Sequence, residues 1–370
     1  MDNNLPPMPN APPPLMPPPP APKPSRGGRV WMIVALLLAV LLVISLAANF
    51  SRILDLIPTV ETTGRETGRW LQEVTVENKS SRHKIAIVDV AGIITSHDWD
   101  GTGHNLVDLI DDQLEVAGKD RAVKAVVLKV DSPGGEVMAS DDISRALTDF
   151  QEKHGKPVVA AMGGLAASGG YYVSVPCQWI VASEFTITGS IGVIMHSFNY
   201  RGLLDKIGLY PRVFKSGKFK DMLSGTRKLD EIPPAEQEML QAMIDETFAK
   251  FKKVVAEGRQ RAQTKNQGQG RTLAANWEEY ADGRVLTGKQ AWEHGFVDEL
   301  GTFETAVDRA KKLAKIPNAN LIRYEEPFDI KRFFRFLGQS ERTTLKVDLG
   351  FDIPKLEAGR LYFLSPTVIH

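Results

Sequence analysis

The chain has one cysteine, Cys177, among its 370 residues. A lone thiol can close no disulfide within the chain and can build no thiolate metal site. Set between Pro176 and Gln178, it reads as a small buried side chain rather than a nucleophile. Histidine is also scarce: the seven present are scattered, without the i,i+4 or short-loop spacing that zinc needs. No metal and no cofactor are expected. Net charge is missing as well, since 45 Lys and Arg balance 45 Asp and Glu. That balance excludes a global field suited to nucleic acid or an acidic substrate. No basic run is interleaved with aromatics, so a nucleic-acid partner is not expected either.

Long apolar runs are absent, with one exception. VWMIVALLLAVLLVISLAANF, residues 30–50, carries no charge and has about the 20 residues that a helix needs to cross the hydrocarbon core. It is too long for the apolar part of a secretory signal, although Ser45 to Ala48 loosely imitates a cleavage site. The reading is a retained single-pass transmembrane anchor. Lys23, Arg26 and Arg29 precede it; Arg52 and then Asp55, Glu61 and Glu66 follow. The basic side stays in the cytoplasm, so the N-terminus is expected inside and the C-terminal bulk outside. In a bacterium that places the chain in the inner (plasma) membrane, with its bulk in the periplasm or on the outer face. Residues 1–29 are rich in proline and cannot form a helix or a central strand. They read as a disordered cytoplasmic tail or, more sharply, as a ligand for an aromatic-lined groove. Residues 51–83 have weak periodicity and read as a stalk.

The folded domain is expected from Lys84 onward, over 84–316. KIAIVDVAGIIT (84–95) and AVKAVVLKVDSPGG (122–135) are β-branched runs closed by glycine, the pattern of buried strands. NLVDLIDDQLEVAG between them reads as a helix ending at Gly118. Ser140 is placed as the cap of the next helix, with Asp141 and Asp142 in its first turn and Ile143, Ala146, Leu147 and Phe150 as its stripe. KPVVAAMGG (156–164) is the following strand, and this alternation predicts an α/β domain. Pro233 and Pro234 open a long helix with Leu240, Ile244, Phe248, Phe251 and Val255 on its buried face. A glutamine-rich loop follows at 263–270. GRVLTGKQAWEHGFVDELG (283–301) reads as strand, short helix, strand. Residues 317–370 show no such pattern and read as a C-terminal extension.

Chemistry is suggested where small residues crowd a hydroxyl. GGLAASGGYY, residues 163–172, sets Ser168 in glycine and alanine at a predicted strand-to-helix junction. Small neighbours permit close approach of another backbone. DSPGG (131–135) is placed at the end of a strand, with Pro133 in a turn and the bare amides of Gly134 and Gly135 facing a cavity. The N–H of Gly169 with that of Gly134 or Gly135 could then form a two-donor oxyanion hole around a Ser168 nucleophile. Two bases are open to it. His196 in GVIMHSFNY would make a Ser-His arrangement. Lys220 in VFKSGKFKDM would make a Ser-Lys dyad, provided burial lowers its pKa, because an ammonium has no lone pair. Phe214, Phe219 and Met222 could desolvate it, and Lys215 and Lys218 could push the same way. Loop lysines are otherwise simply solvated, and spacing alone ranks the histidine slightly ahead.

DSPGG, MGGLAASGGYY, TGSIGVI (188–194), KSGKFKDM and GRVLTGKQAWEHGFVDELG together resemble the signal peptide peptidase A family in kind, order and spacing, over roughly residues 84–316. The resemblance implies a single-repeat serine endopeptidase with Ser168 as nucleophile and Lys220 as base. Ser190 of TGSIG, otherwise a plain turn serine, would hold the lysine amine. It implies a crotonase/ClpP-like α/β spiral of ββα turns, assembled as a homo-oligomeric ring or dome and tethered to the membrane. Its expected partners are hydrophobic peptides, namely signal peptides left after preprotein cleavage, and misfolded exported chains. Ser168 and Lys220 would come from one chain or from neighbouring subunits. The proline-rich tail departs from the family pattern, and the resemblance fades in the C-terminal extension. Two rivals stand beside this reading: a Ser168–His196 protease, and a membrane scaffold that keeps the fold without turnover.

Overall fold

The protein is described by a computed structural model covering residues 31–42, 45, 71–97, 105–326 and 360–364. The proline-rich tail and most of the stalk fall outside these residues. Helix α1 is described over residues 31–42, and its large apolar side chains, Leu36, Leu37 and Leu41 among them, are exposed. Among the described residues no helix is long and apolar enough to cross a membrane; the rest of the 30–50 run, save Ser45, lies outside them. The chain divides into two units, 1–61 and 62–370, and the second holds the sheet and every element packed on it.

Among the described residues, ten strands form one mixed sheet. Its spine is parallel: β9 (Asn320–Glu325), β2 (Lys84–Ile94), β3 (Val123–Glu136), β4 (Val158–Ala167), β5 (Trp179–Ala182) and β8 (Glu299–Leu300) lie side by side. Period-two alternation sorts their side chains onto two cores. Ala86, Val88, Val126, Leu128, Ala160 and Ile180 pack on one face, under α2 (Leu106–Lys119), α3 (Val137–His154) and α4 (Gly169–Ser174). Ile85, Ile87, Ala125, Val127, Val159 and Val181 pack on the other, against Ala306, Val307 and Ala310 of α8 (Phe303–Leu313). Strands buried on both faces need near-continuous apolar sequence, as these have.

Two boundaries differ from the sequence reading. β1 (Gln72–Glu77), expected in the stalk, pairs antiparallel with β9, and β9, expected in the C-terminal extension, lies between β1 and β2. Both are short; β1 exposes most of its residues, and β9 buries only Leu321, Ile322 and Tyr324, too few to show a long apolar run.

The sheet divides at the C-terminal ends of β3 and β4. β3 leaves β4 after Ser132 and takes β10 (Tyr362–Leu364) as an antiparallel partner at Gly134–Glu136. β4 leaves β5 after Ala161 and takes β6 (Ile187–Gly189), which pairs in turn with β7 (Val285–Thr287). A crevice outside the carboxyl ends of parallel strands is where α/β proteins place their sites.

A long arm follows β6. Residues 196–233 hold α5 (Arg201–Lys206) and a short 3₁₀ turn, Leu229–Glu231, and lead into α6 (Pro234–Lys265). Of the predicted buried face of α6, Phe251 and Val255 are fully buried while Leu240, Ile244 and Phe248 are half-covered. The arm is tied to the start of α6 by Arg227, whose Nη1 lies 2.7 Å from a Glu236 carboxylate oxygen. Further along, Arg259 of α6 is buried on Asp298, just before β8.

Candidate active site

β4 runs on to Ala167, so Ser168 stands between the last residue of a strand and the first residue of α4. Its backbone is held on both sides: its N–H donates to Gly189 O at 2.8 Å, and its carbonyl accepts from Tyr172 N at 2.8 Å. The conformation is strained, with φ +54° and ψ −115°. Side chains at positive φ cost of order 1–3 kcal/mol and persist where surrounding structure over-determines them. Ser168 is 1% exposed, and its Oγ is buried with no hydrogen-bond partner. A buried hydroxyl usually finds one.

Gly134, Gly135 and Gly169 converge here. A side chain on Gly169 would meet Gly134 Cα at 3.0 Å, Gly135 N at 3.1 Å and Ser140 Oγ at 2.7 Å. The two glycine stretches therefore touch backbone to backbone beside Ser168. DSPGG does so from inside β3 rather than from a turn beyond it, because β3 continues to Glu136. Ser140 is not a cap: it sits within α3, whose N-cap is Glu136, and its Oγ donates to the Glu136 carbonyl at 2.8 Å.

Ser190 belongs to the same centre. It follows Gly189, which receives the Ser168 N–H, and it too has positive φ, +51°. Ser190 and His196 line one cavity of about 640 Å³ with Val193, Ile194, Ile244 and Phe248. His196 Nε2 is buried and unpartnered.

Lys220 is not brought to Ser168. It lies exposed on the arm, and Phe214, expected to desolvate it, is 87% exposed. Lys215 is bound to Asp221 at 2.5 Å and also donates to Lys218 O. Phe219 and Met222 are half-covered, yet Lys220 itself stays exposed within one chain.

Several contributors escaped the sequence reading. Both tyrosines of the GGYY stretch fix α4: Tyr171 OH donates to Phe296 O at 3.1 Å, and Tyr172 OH donates to Asp141 Oδ1 at 2.6 Å. Burial, then the Asp141 contact, push the Tyr172 phenol well above its usual range. A tyrosine pair after a glycine pair is the signal that could have marked them as the lock on the helix. Glu136 was missed too. Its carboxylate accepts from Thr95 Oγ1, Ser96 N, Ser96 Oγ and Arg360, and contacts His97 Nδ1. Burial pushes its pKa up, but the Ser96 and Thr95 hydrogen bonds and the Arg360 charge outweigh that and hold it below the usual value. Cys177 is buried and free, as expected, and burial raises its thiol far above the reactive range. Among the described residues no cluster of His, Cys, Asp and Glu could hold a metal.

A strained, buried, unpartnered serine facing convergent backbone amides at a strand–helix junction is the arrangement of a serine nucleophile. The model of peptidase family S49 matches residues 150–317. A candidate protease of Synechocystis sp. is 38% identical over 273 residues, 73% of this chain and 89% of that protein. A candidate signal peptide peptidase SppA of Enterococcus faecium is 37% identical, covering 69% of this chain and 71% of that one. The chloroplastic serine protease SPPA of Arabidopsis thaliana is 35% identical over 52% of this chain and 26% of that longer protein. The chain belongs to peptidase family S49 and is a serine endopeptidase.

Proposed function

We propose that the protein is a membrane-anchored endopeptidase that degrades cleaved signal peptides and other hydrophobic or misfolded exported peptides, using a Ser168–Lys220 dyad. The observation that carries this reading is Ser168 itself, buried, strained and unpartnered beside the Gly135 and Gly169 amides. Neutral Lys220 takes the Ser168 proton as Oγ attacks a peptide carbonyl, and the oxyanion is held by the amides of Gly169 and of Gly135 or Gly134. Protonated Lys220 passes its proton to the leaving amine, and water, deprotonated by the same amine, resolves the acyl-enzyme. Ser190 holds the amine.

Lys220 has to be delivered to this site, by its own arm folding over or by the arm of a neighbouring subunit. The arm's exposed apolar side chains, Phe198, Leu203, Tyr210 and Phe214 among them, favour a neighbour and a ring or dome of copies. The β6–β7 ladder branching from the main sheet is read as a turn of the ClpP-like ββα spiral. The uncharged 30–50 run and the exposed leucines of α1 support the inner-membrane anchor with the peptidase outside the cytoplasm. The apolar cavity walls and the name of the Enterococcus relative support signal peptides as substrates.

The test is cleavage of a quenched apolar peptide by the full chain in detergent, with Ser168→Ala, Lys220→Ala and His196→Ala. The dyad requires the first two inactive with unchanged unfolding, the third active, and a pH profile rising well below the ordinary lysine value of about 10.4. Mixing Ser168→Ala with Lys220→Ala recovers activity if the lysine comes from a neighbour. His196, unpartnered on the wall it shares with Ser190, supports a second reading, a Ser168–His196 pair; it takes over if His196→Ala is dead and Lys220→Ala works.

A further inference from the structure

The chain's own residues Arg360–Leu364 lie in a groove between β3 and the segment after β6. Val137 N–H donates to Leu361 O at 3.3 Å, and Tyr362 and Ile194 exchange both backbone hydrogen bonds at 3.1 Å. The register sets Tyr362 opposite Glu136, Phe363 opposite Gly135 and Leu364 opposite Gly134. Hydrogen-bonded pairs alternate along an antiparallel ladder, so the pair after Leu361–Val137 is Phe363–Gly135. The Gly135 amide thus faces the Phe363 carbonyl. That carbonyl oxygen lies 1.9 Å from the point a Gly134 Cβ would occupy, and Gly169 N lies 2.6 Å from the same point. One carbonyl of this strand therefore lies at the Gly135 amide, on the side of Gly134 that Gly169 N also approaches.

A strand seated this way shows which parts of the groove each side chain of a bound peptide reaches. Phe363 is fully buried, its ring 4.9 Å from Tyr172 and 4.6 Å from Phe251. Leu364 lines the 640 Å³ cavity. Arg360, three residues before Phe363, sets Nη1 2.9 Å from Glu136 Oε1. The Glu136 side chain is 9% exposed, and Thr95 Oγ1 at 3.1 Å, Ser96 Oγ at 2.8 Å and Ser96 N at 3.3 Å aim it. A carboxylate fixed by three neutral donors at the end of a peptide groove attracts a cation and repels an anion.

We propose that Glu136 is a specificity-determining residue: it takes an Arg or Lys of the substrate, three residues before the large apolar or aromatic residue whose carbonyl lies at the Gly135 amide. The substrate class is an apolar peptide segment with a basic residue at its N-terminal edge. This rests on the peptidase reading of the Ser168 site. The strand and the substrate contend for one seat, so the Arg360–Glu136 pair also sets how firmly the chain covers its own site.

The test uses the full chain in detergent and quenched peptides that differ only in Arg, Gln or Glu three positions before a single Phe. Wild type cleaves the Arg peptide about tenfold better in kcat/KM than the Gln peptide, as expected for a charge-assisted contact, and the Glu peptide worse still. Mass spectrometry places the cut after Phe. In Glu136→Gln the Arg-to-Gln ratio falls to near one, while Arg360→Gln raises cleavage of all peptides and leaves the ratio alone. A wild-type ratio near one, a ratio unchanged in Glu136→Gln, or a cut elsewhere overturns the subsite. If Glu136→Gln does not fold, the wild-type peptide series decides by itself. Cleavage that survives Ser168→Ala brings down the peptidase site as well; a dead Ser168→Ala with a ratio near one brings down only the subsite.

Discussion

Replacing Gly134 by alanine isolates what the convergence of backbones contributes. Gly134 has φ +101°, and a Cβ there would lie 1.9 Å from Phe363 O and 2.6 Å from Gly169 N, both backbone atoms that no side-chain rotation can move aside. Gly92 supplies the control, with φ +70° and nothing within 4 Å of its would-be Cβ. Both substitutions carry the strain of a side chain at positive φ, of order 1–3 kcal/mol, so both lower the urea midpoint. Only Gly134→Ala also fills the seat of the peptide carbonyl. Losing one oxyanion donor costs about 10²–10³ in kcat, and a displaced carbonyl loses at least that. The expectation is Gly92→Ala within about threefold of wild-type kcat/KM and Gly134→Ala at least about a hundredfold down. The assay is peptide cleavage beside a urea curve for each variant. Near-wild-type cleavage by a folded Gly134→Ala would refute the oxyanion assignment, because no peptide carbonyl could then be resting there.

Ser168→Gly and Ser168→Ala should both be inactive, yet the glycine variant should be the more stable by roughly 1 kcal/mol, since only alanine keeps the positive-φ strain; equal urea midpoints would deny that Ser168 is strained. Arg259→Met leaves the Asp298 charge buried and strips the Gly295 and Arg271 carbonyls of their donors, which should cost about 3–5 kcal/mol. A loss below about 1 kcal/mol in chemical unfolding would mean that water reaches the pair. Glu136, held below its ordinary pKa, contributes stability that is present above the unfolded value of 4.5 and is lost as pH falls through the folded value. The stability gap between wild type and Glu136→Gln should therefore shrink below about pH 4.5; a gap constant from about pH 7 to pH 3 contradicts it.

The parallel spine was legible because burial on both faces forces apolar runs, and 84–94, 123–130 and 158–162 are such runs. Ser168 was legible for a related reason, since an isolated hydroxyl in glycine and alanine satisfies neither a core nor a solvent loop. β1, β9 and β10 were not legible. β1 is largely exposed, and the three residues of β10 are too few to show a period. Their places are set by partners far away along the chain, and pairing at that range leaves no local mark. Ser140 was misplaced because capping chemistry was read from residue type alone. A serine within a helix can instead bond back to the carbonyl four residues earlier, as Ser140 does to Glu136.

The same distinction separates Ser168 from Lys220. What fixes Ser168 lies in the sheet, the short helix beyond it and the segments packed on them: the Gly189 carbonyl, the tyrosine anchors on Asp141 and Phe296, the glycines of β3. Lys220 rides an arm whose described ties are largely internal, such as Tyr200 N–H to Gly225 O, or reach only the start of α6 through Arg227 and Glu236. If the proposed dyad holds, a rigid nucleophile and a base carried on a separate, apolar-surfaced arm are a division that the order of motifs along the chain cannot reveal. Folding the sheet completes the nucleophile and its amides; docking the arm would complete the base. On the proposed dyad, catalysis would then depend on assembly, while the unassembled chain would hold Ser168 and its amides without the lysine.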